Sequence, residues 1–451
     1  MEKPALGHPR QGILSGHTDE RVAAYMRFAI QGKVNLLISS NCLRKKINLP
    51  MKGEIYKKVQ IENRCIQNTY QHPVCWQEKG AEGLKGLGRY FLFFMFFIAL
   101  YWGMNYFVFW NLMQVIPQGL RGLTALIFWL MGSAFVVSQL IKRRVKLPRI
   151  TYFSGAWMGF LGIGITIYSI ALILKGLLPR FSYGLDIIAA ILVGFCTLFS
   201  LLWVARGPRI KEVTIPHEKI KGEPLNLVML SDVHLGIMTS KQWLERIVEQ
   251  VNDLNPDLIV ITGDLIDDAY ELVADFAPIM AQLKGRLGVY AVAGNHEHYQ
   301  GIDAFYRFLN AAKIQLLHNE SKAIEQRLNI IGIDDLGVNR GKKGLGKHFD
   351  TIKGNCHREL FNLLLIHQPV GFRLTAKEGV DLQLSGHTHR GQVPPMNPLI
   401  YLFYPDSYGL KKYGQSYLYI TSGTGTWGPP MRLFSDSEIV KITLQGSDTI
   451  D

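Results

Sequence analysis

Five short polar clusters each stand at the end of an apolar run: Asp232-Val233-His234, Gly263-Asp264-Leu265-Ile266-Asp267, Gly294-Asn295-His296-Glu297, His367, and Gly386-His387-Thr388-His389. Alone, each says little. A single histidine is more often a structural hydrogen-bonding residue than a ligand, and Gly-Asp after a strand is an ordinary turn. Asp-x-His and His-x-His are more telling, because alternate residues on an extended tip point the same way and reach one ion. Together the clusters offer carboxylates, imidazoles and one amide, with glycines where the backbone must turn sharply. Hard oxygen mixed with borderline nitrogen, without thiolate, suits manganese, iron or zinc better than calcium or a structural zinc.

Clusters placed after strands belong at the carboxyl edge of an open α/β sheet, where ligands gather. Leu225 to Leu230 reads as a strand, and Leu244, Ile247, Val248, Val251 and Leu254 then recur at helical spacing. Asp257 to Thr262 reads as a second buried strand, 268 to 283 as a helical stretch, and Gly288 to Ala293 as a third strand. This β-α-β-α-β succession predicts a mainly parallel sheet covered by helices. Further strands are expected near 314–317, 322–333, 361–366, 381–385, 417–421 and 438–443, with a Gly/Lys-rich loop at Val338 to Lys347.

The five motifs, in this order and spacing, resemble the calcineurin-like metallophosphoesterase superfamily over roughly 225–445. Thr424-Gly425-Thr426-Trp427-Gly428-Pro429-Pro430-Met431-Arg432 followed by Glu438-Ile439 is similar to the end of the domain in membrane-anchored, mostly bacterial members. The resemblance implies a four-layer α/β/β/α sandwich and two divalent metal ions. It places Asp232, His234 and His389 on one ion, Asn295, His367 and His387 on the other, and Asp264 between them. A water held by both ions would lose a proton near neutral pH and attack phosphorus. His296 takes the position of the acid that protonates the leaving alkoxide, with Asp267 orienting it. Glu297 and His298 are not expected to be ligands. Arg390 and Arg432 could grip a substrate phosphate or serve as structural ion pairs.

Upstream, four apolar runs at about 90–112, 122–141, 152–174 and 185–205 each approach the ~20 residues a helix needs to cross a bilayer. Four spans are therefore expected, followed by a catalytic domain over 213–451. Basic residues flank the runs unevenly: eleven, including Lys142, Arg143, Arg144, Lys146 and Arg149, on one side, and Arg121, Lys175 and Arg180 on the other. The positive-inside rule then puts both termini and the catalytic domain in the cytoplasm. Only Asp186 lies at the edge of a run, so no ion path through the helices is expected. Gly155 and Gly159 form a GxxxG suited to close helix approach.

Residues 1–212 carry +17 and residues 213–451 carry −4 of the net +13, so the basic excess belongs to the membrane-flanking part and not to a nucleic-acid footprint. Five scattered cysteines without CxxC spacing suggest neither a disulfide framework nor a zinc ribbon. Residues 1–89 form a basic extension with no assignable fold. The expected function is hydrolysis of a phosphodiester or pyrophosphate, with a lipid-linked substrate favoured by the anchor. A phosphoprotein or phosphomonoester phosphatase is the alternative among enzymes. A spent membrane scaffold is the alternative of another class, and it would lack a ligand where none is missing.

Overall fold

The computed structural model describes residues 82–141, 147–335 and 350–447. The extension before 82, the basic loop 142–146 and the Gly/Lys-rich loop expected at 338–347 lie outside the described residues.

Four long helices cover the apolar runs: α1 (Glu82–Met113), α2 (Arg121–Ile141), α3 (Pro148–Leu177) and α4 (Ser182–Ala205). Three stretches among the described residues, Gln118–Ser138, Pro148–Leu177 and Pro179–Ala205, are long and apolar enough to cross a membrane. Their outward faces carry Phe153, Ile173, Ile191 and Phe195 in the open, an arrangement unfavourable in water and neutral in lipid. Inside the bundle several polar groups find partners, while the buried Tyr168 hydroxyl has none among the described residues. Asn105 donates to the Tyr101 carbonyl at 2.8 Å and accepts from Trp157 Nε1 at 3.0 Å, while Lys175 pairs with Asp186 at 2.7 Å.

The Gly155–Gly159 stripe has another use than the helix contact its motif suggests. A Cβ on Gly155 would meet the Gly428 carbonyl at 2.9 Å, one on Gly159 would strike Met431, and one on Gly162 would meet the Pro394 carbonyl at 2.7 Å. These glycines seat loops of the α/β domain against α3.

That domain contains two six-stranded sheets where periodicity alone suggested one mainly parallel sheet. The strands of the first are β1 (Arg209–Pro216), β2 (Leu225–Leu230), β3 (Leu258–Ile261), β4 (Val289–Ala291), β5 (Gln315–Leu316) and β12 (Glu438–Gln445), in the order β1-β12-β2-β3-β4-β5. The second runs β10-β11-β9-β8-β7-β6, from Gly409–Tyr413, Ser416–Ile420, Leu382–Ser385, Phe361–Ile366, Leu328–Ile333 and Glu320–Ile324. β2 through β5 are parallel, as are β7, β8, β9 and β11, and antiparallel pairing enters at β12–β2, β6–β7 and β10–β11.

Alternation along β2 divides the core. Val228 and Leu230 pack with Leu244, Ile247, Val248 and Val251 of α5 (Lys241–Asp253), whereas Leu227 and Met229 pack with Phe361, Leu363 and Leu384 of the other sheet. Ser240 caps α5, its hydroxyl accepting from Trp243 N at 3.2 Å.

Three local readings change. The run 322–333 is a hairpin, turning at Glu325 and Gln326 with φ of 49° and 52°, residues that lack the usual Asn-Gly signal. The stretch 268–283 breaks into Tyr270–Val273, a 3₁₀ turn at Ala274–Phe276, and Ala277–Met280, where Pro278 opens a new turn. Strands β1 and β10 are edges with mostly exposed, charged residues, so no apolar alternation announces them.

Candidate active site

In parallel register Leu230 stands beside Ile261, and Ile261 beside Ala291, so the chain leaves β2, β3 and β4 at one level. The segments that follow bring Asp232, Asp264 and Asn295 to one edge. From the second sheet, His367 follows β8, and His387 and His389 follow β9. Ligand-capable atoms converge within 4.8 Å in three groups: Asp232 with His234 and His389, Asp264 with His367 and His387, and His234 with Asp267 and His296.

The backbone is bent to do this. Asp232, His234, Asp264, His387 and His389 all have φ between 45° and 70°, a region that side-chain-bearing residues occupy at a cost of about 1–3 kcal/mol each and that clusters at functional sites. Glycines supply the remaining room. A Cβ on Gly263 (φ 91°) would meet Gly294 N and His367 Nδ1 at 2.8 Å, and one on Gly294 would run into the Asp264 carboxylate.

Glu297 holds the two loops together. Its buried carboxylate accepts from Gly294 N at 2.7 Å, Asp264 N at 3.0 Å, Leu265 N at 2.7 Å and Ile266 N at 3.0 Å. Burial and the neighbouring Asp264 carboxylate push its carboxyl up to about 7, against the pull of the Ile266 and Gly294 N–H donors. Sequence placed it outside the ligands without finding this role. Alanine at 297 would leave four buried N–H groups unpaired, each worth about 1–3 kcal/mol when orphaned. Glu297→Ala is expected to lose at least about 3 kcal/mol of unfolding free energy and Glu297→Gln less, in denaturant titrations of the detergent-solubilised protein. An alanine variant within about 1 kcal/mol of the parent would refute the anchoring role.

Two imidazole pairs meet nitrogen to nitrogen: His234 Nε2 with His389 Nε2 at 3.0 Å, and His387 Nδ1 with His367 Nε2 at 3.2 Å. The outer nitrogens of two of these rings are already engaged, His234 Nδ1 with Asp267 Oδ1 at 2.7 Å and His367 Nδ1 with the Thr262 carbonyl at 2.8 Å. That leaves their Nε2 atoms facing the cluster, the pattern by which outer partners orient metal-binding histidines. Asn295 Oδ1 is buried and has no hydrogen-bond partner among the described residues, which fits an amide oxygen directed at a cation. The donor set and this orphaned oxygen fit divalent metal, as the family motif implies.

Charge in the cluster is unevenly shared. Burial works against a cationic His234, yet the carboxylates of Asp267, Asp264 and Asp232 outweigh it and raise the ring to about 9. The same contest raises His367, with Asp264 its main partner. By contrast, burial and the neighbouring His367 push His387 down to about 3, and burial with His234 and Arg432 holds His389 low. Burial also raises Asp232, with Asp264 adding to it, while Asp264 and Asp267 are both held below the usual carboxylate range because nearby imidazoles overcome their burial.

His296 stands at the rim. Its Nδ1 meets Asp267 Oδ1 at 2.6 Å, its Nε2 lies 3.9 Å from Asp264 Oδ2, and the rings of Tyr299 and Trp427 flank it at 5.5 and 5.6 Å. Asp267 therefore serves His234 as well as His296. Arg432 is excluded from substrate: it is 0% exposed, and its Nη2 donates to the Ser422 and Gly425 carbonyls at 2.7 Å. Arg390 stacks on Tyr408 with its guanidinium carbon 4.6 Å from the ring centre. Glu438, 3% exposed, accepts from Thr421, Ser422 N, Tyr408 and Tyr419 and so fixes the loop that bonds to the Ser231 and Asp232 carbonyls through Thr424 N and Gly425 N.

The calcineurin-like phosphoesterase family model matches residues 225–391. An uncharacterized metallophosphoesterase of Helicobacter pylori is 33% identical over 370 residues, covering 80% of this chain and 91% of its own. The chain belongs to the calcineurin-like metallophosphoesterases. Proteins described as transmembrane with a metallophosphoesterase domain, from Danio rerio and Bos taurus, are 36% and 32% identical, each match covering 58% of this chain. This metallophosphoesterase spans only 63% and 62% of those two relatives' lengths. The apolar helices and these relatives support association with a membrane.

Proposed function

We propose that this metallophosphoesterase is a membrane-anchored hydrolase of a phosphodiester or pyrophosphate, with a lipid-linked phosphate ester as its substrate. Supporting it above all is the meeting of the two imidazole pairs beside Asp232 and Asp264. Asp232, His234 and His389 would hold one divalent ion, manganese, iron or zinc, and Asn295, His367 and His387 a second, with Asp264 shared. Bound there, the ions supply Lewis acidity toward phosphoryl oxygens and an acidified water. Asp267 fixes the His296 ring through Nδ1, leaving Nε2 to deliver a proton to the departing oxygen. Trp427 and Tyr299 limit where that ring can swing.

In the same reading α1 is a fourth span beside the three apolar stretches, the catalytic domain is a four-layer sandwich beginning near 213, and loop charge puts it on the cytoplasmic side. The full chain in detergent, stripped by chelator and reloaded with Mn²⁺, is expected to retain about two ions and to hydrolyse bis(p-nitrophenyl) phosphate. Less than one retained ion with no diester hydrolysis would overturn the reading. Turnover of a phosphopeptide alone would move it to a monoester phosphatase.

A further inference from the structure

Beside the candidate site the chain makes an eight-residue helix, α6 (Met396–Phe403), with no buried residue. Leu402 and Phe403 are 75% and 71% exposed, and on the neighbouring loop Phe434 is 72% exposed. No charged residue occurs from Gly391 to Tyr404, and between Thr424 and Ser435 the only one is Arg432, which is buried. Such a surface is costly in water unless something apolar covers it.

The helices α3 and α4 measure where it lies. They are joined at Pro179–Phe181, next to the Lys175–Asp186 pair, which suits one membrane face. At ~1.5 Å per residue, ~30 Å of hydrocarbon takes about 20 residues, putting the opposite face near 155 on α3 and 206 on α4. Trp203 marks that level, stacked under Arg206 and Arg209 and bonded through Nε1 to Asp436 at 2.7 Å. Yet the catalytic loops reach past it. Val393, Met431 and Leu433 pack with Ile163, and with Cys196 and Leu201, and the Ser200 hydroxyl approaches Met431 Sδ at 3.5 Å. Those contacts lie about 8–15 Å inside the hydrocarbon boundary by the same rise.

We propose that α6 and Phe434, with Trp427 at their inner edge, form a lip inserted into the bilayer, across which a lipid phosphate ester reaches the metal site while its chains remain in the membrane. Trp427 links lip to chemistry, since its half-exposed ring lies against His296. Behind α6, Gly391 lets the helix pack at Asn397, and Tyr404 at its end stands 5.4 Å from the His387 ring and bonds Gln368 at 3.1 Å. The lip and the metal site are thus one continuous wall. The substrate class rests on the hydrolase reading, whereas the insertion does not.

The test places spin labels at Leu402→Cys and Phe434→Cys in the full chain, its five native cysteines replaced, in lipid nanodiscs. Ile191→Cys on the outward face of α4 and Lys284→Cys on the catalytic domain serve as references. Collision with oxygen should exceed collision with a water-soluble nickel chelate at 402 and 434, as at 191. Labels behaving like 284, or shielded from both reagents by covering protein, would overturn the insertion. In parallel, Leu402→Asp with Phe403→Asp should lower turnover of a phospholipid diester in vesicles by about ten-fold or more while changing bis(p-nitrophenyl) phosphate turnover less than about two-fold. Equal loss on both substrates would overturn the access role. A parent chain that hydrolyses neither would refute the hydrolase reading, and the labels would still decide the insertion.

Discussion

Asp264→Asn is expected to lose metal and activity together while the fold survives. Asn keeps an oxygen where Asp264 Oδ1 accepts from His296 N at 2.9 Å, so the loop's own bond can remain. Across the carboxylate, Oδ2 faces His367 Nε2 at 3.0 Å, and there an amide removes the negative charge that two adjacent cations require. Groups that merely orient ligands are worth ten- to a hundred-fold in metal affinity. Losing a shared anionic ligand should therefore exceed about 100-fold, with turnover falling at least about 1,000-fold, or ~4 kcal/mol of barrier. The four N–H bonds to Glu297 persist, so the unfolding midpoint of the metal-free protein should move little. Elemental analysis after reloading decides the matter, and an unchanged metal content would show that Asp264 is not a shared ligand.

That the site could be read from sequence follows from where its residues sit. Asp232, Asp264 and Asn295 follow short apolar strands whose parallel register places their ends together, so local pattern was enough to infer convergence. Glu297 escaped because three of its four partners lie 31 to 33 residues away and all four are backbone nitrogens, which carry no residue-type signal. The pair Gly155 and Gly159 looked like a helix–helix motif for a related reason: small residues announce close approach but not what approaches. Likewise α6 was invisible, since eight residues without charge are too short for a span and do not alternate as a strand does. Periodicity alone pointed to one mainly parallel sheet, and only the family resemblance implied the second, because a run of buried residues carries no mark of which sheet it joins.

His296→Asn should separate proton donation from metal binding. The ring is held by Asp267 at 2.6 Å and packs beside His234, Tyr299 and Trp427, but it belongs to neither the Asp232–His234–His389 nor the Asp264–His367–His387 group, so its removal leaves both groups in place. Metal content should equal the parent's. An alkoxide leaving group needs a proton as its bond to phosphorus breaks, and loss of a positioned acid costs about 10²–10⁴-fold. A nitrophenolate leaves without that help, so bis(p-nitrophenyl) phosphate should slow by less than about ten-fold. The expected signature is thus a steeper dependence of kcat on leaving-group basicity. Asp267→Asn should behave differently, because the same carboxylate also engages His234 at 2.7 Å: metal affinity should fall about 10–100-fold alongside the leaving-group effect. If His296→Asn slowed alkyl and aryl diesters equally, the ring would be binding the phosphate rather than protonating the leaving oxygen, and the acid would have to be sought in a group that Asp267 does not orient.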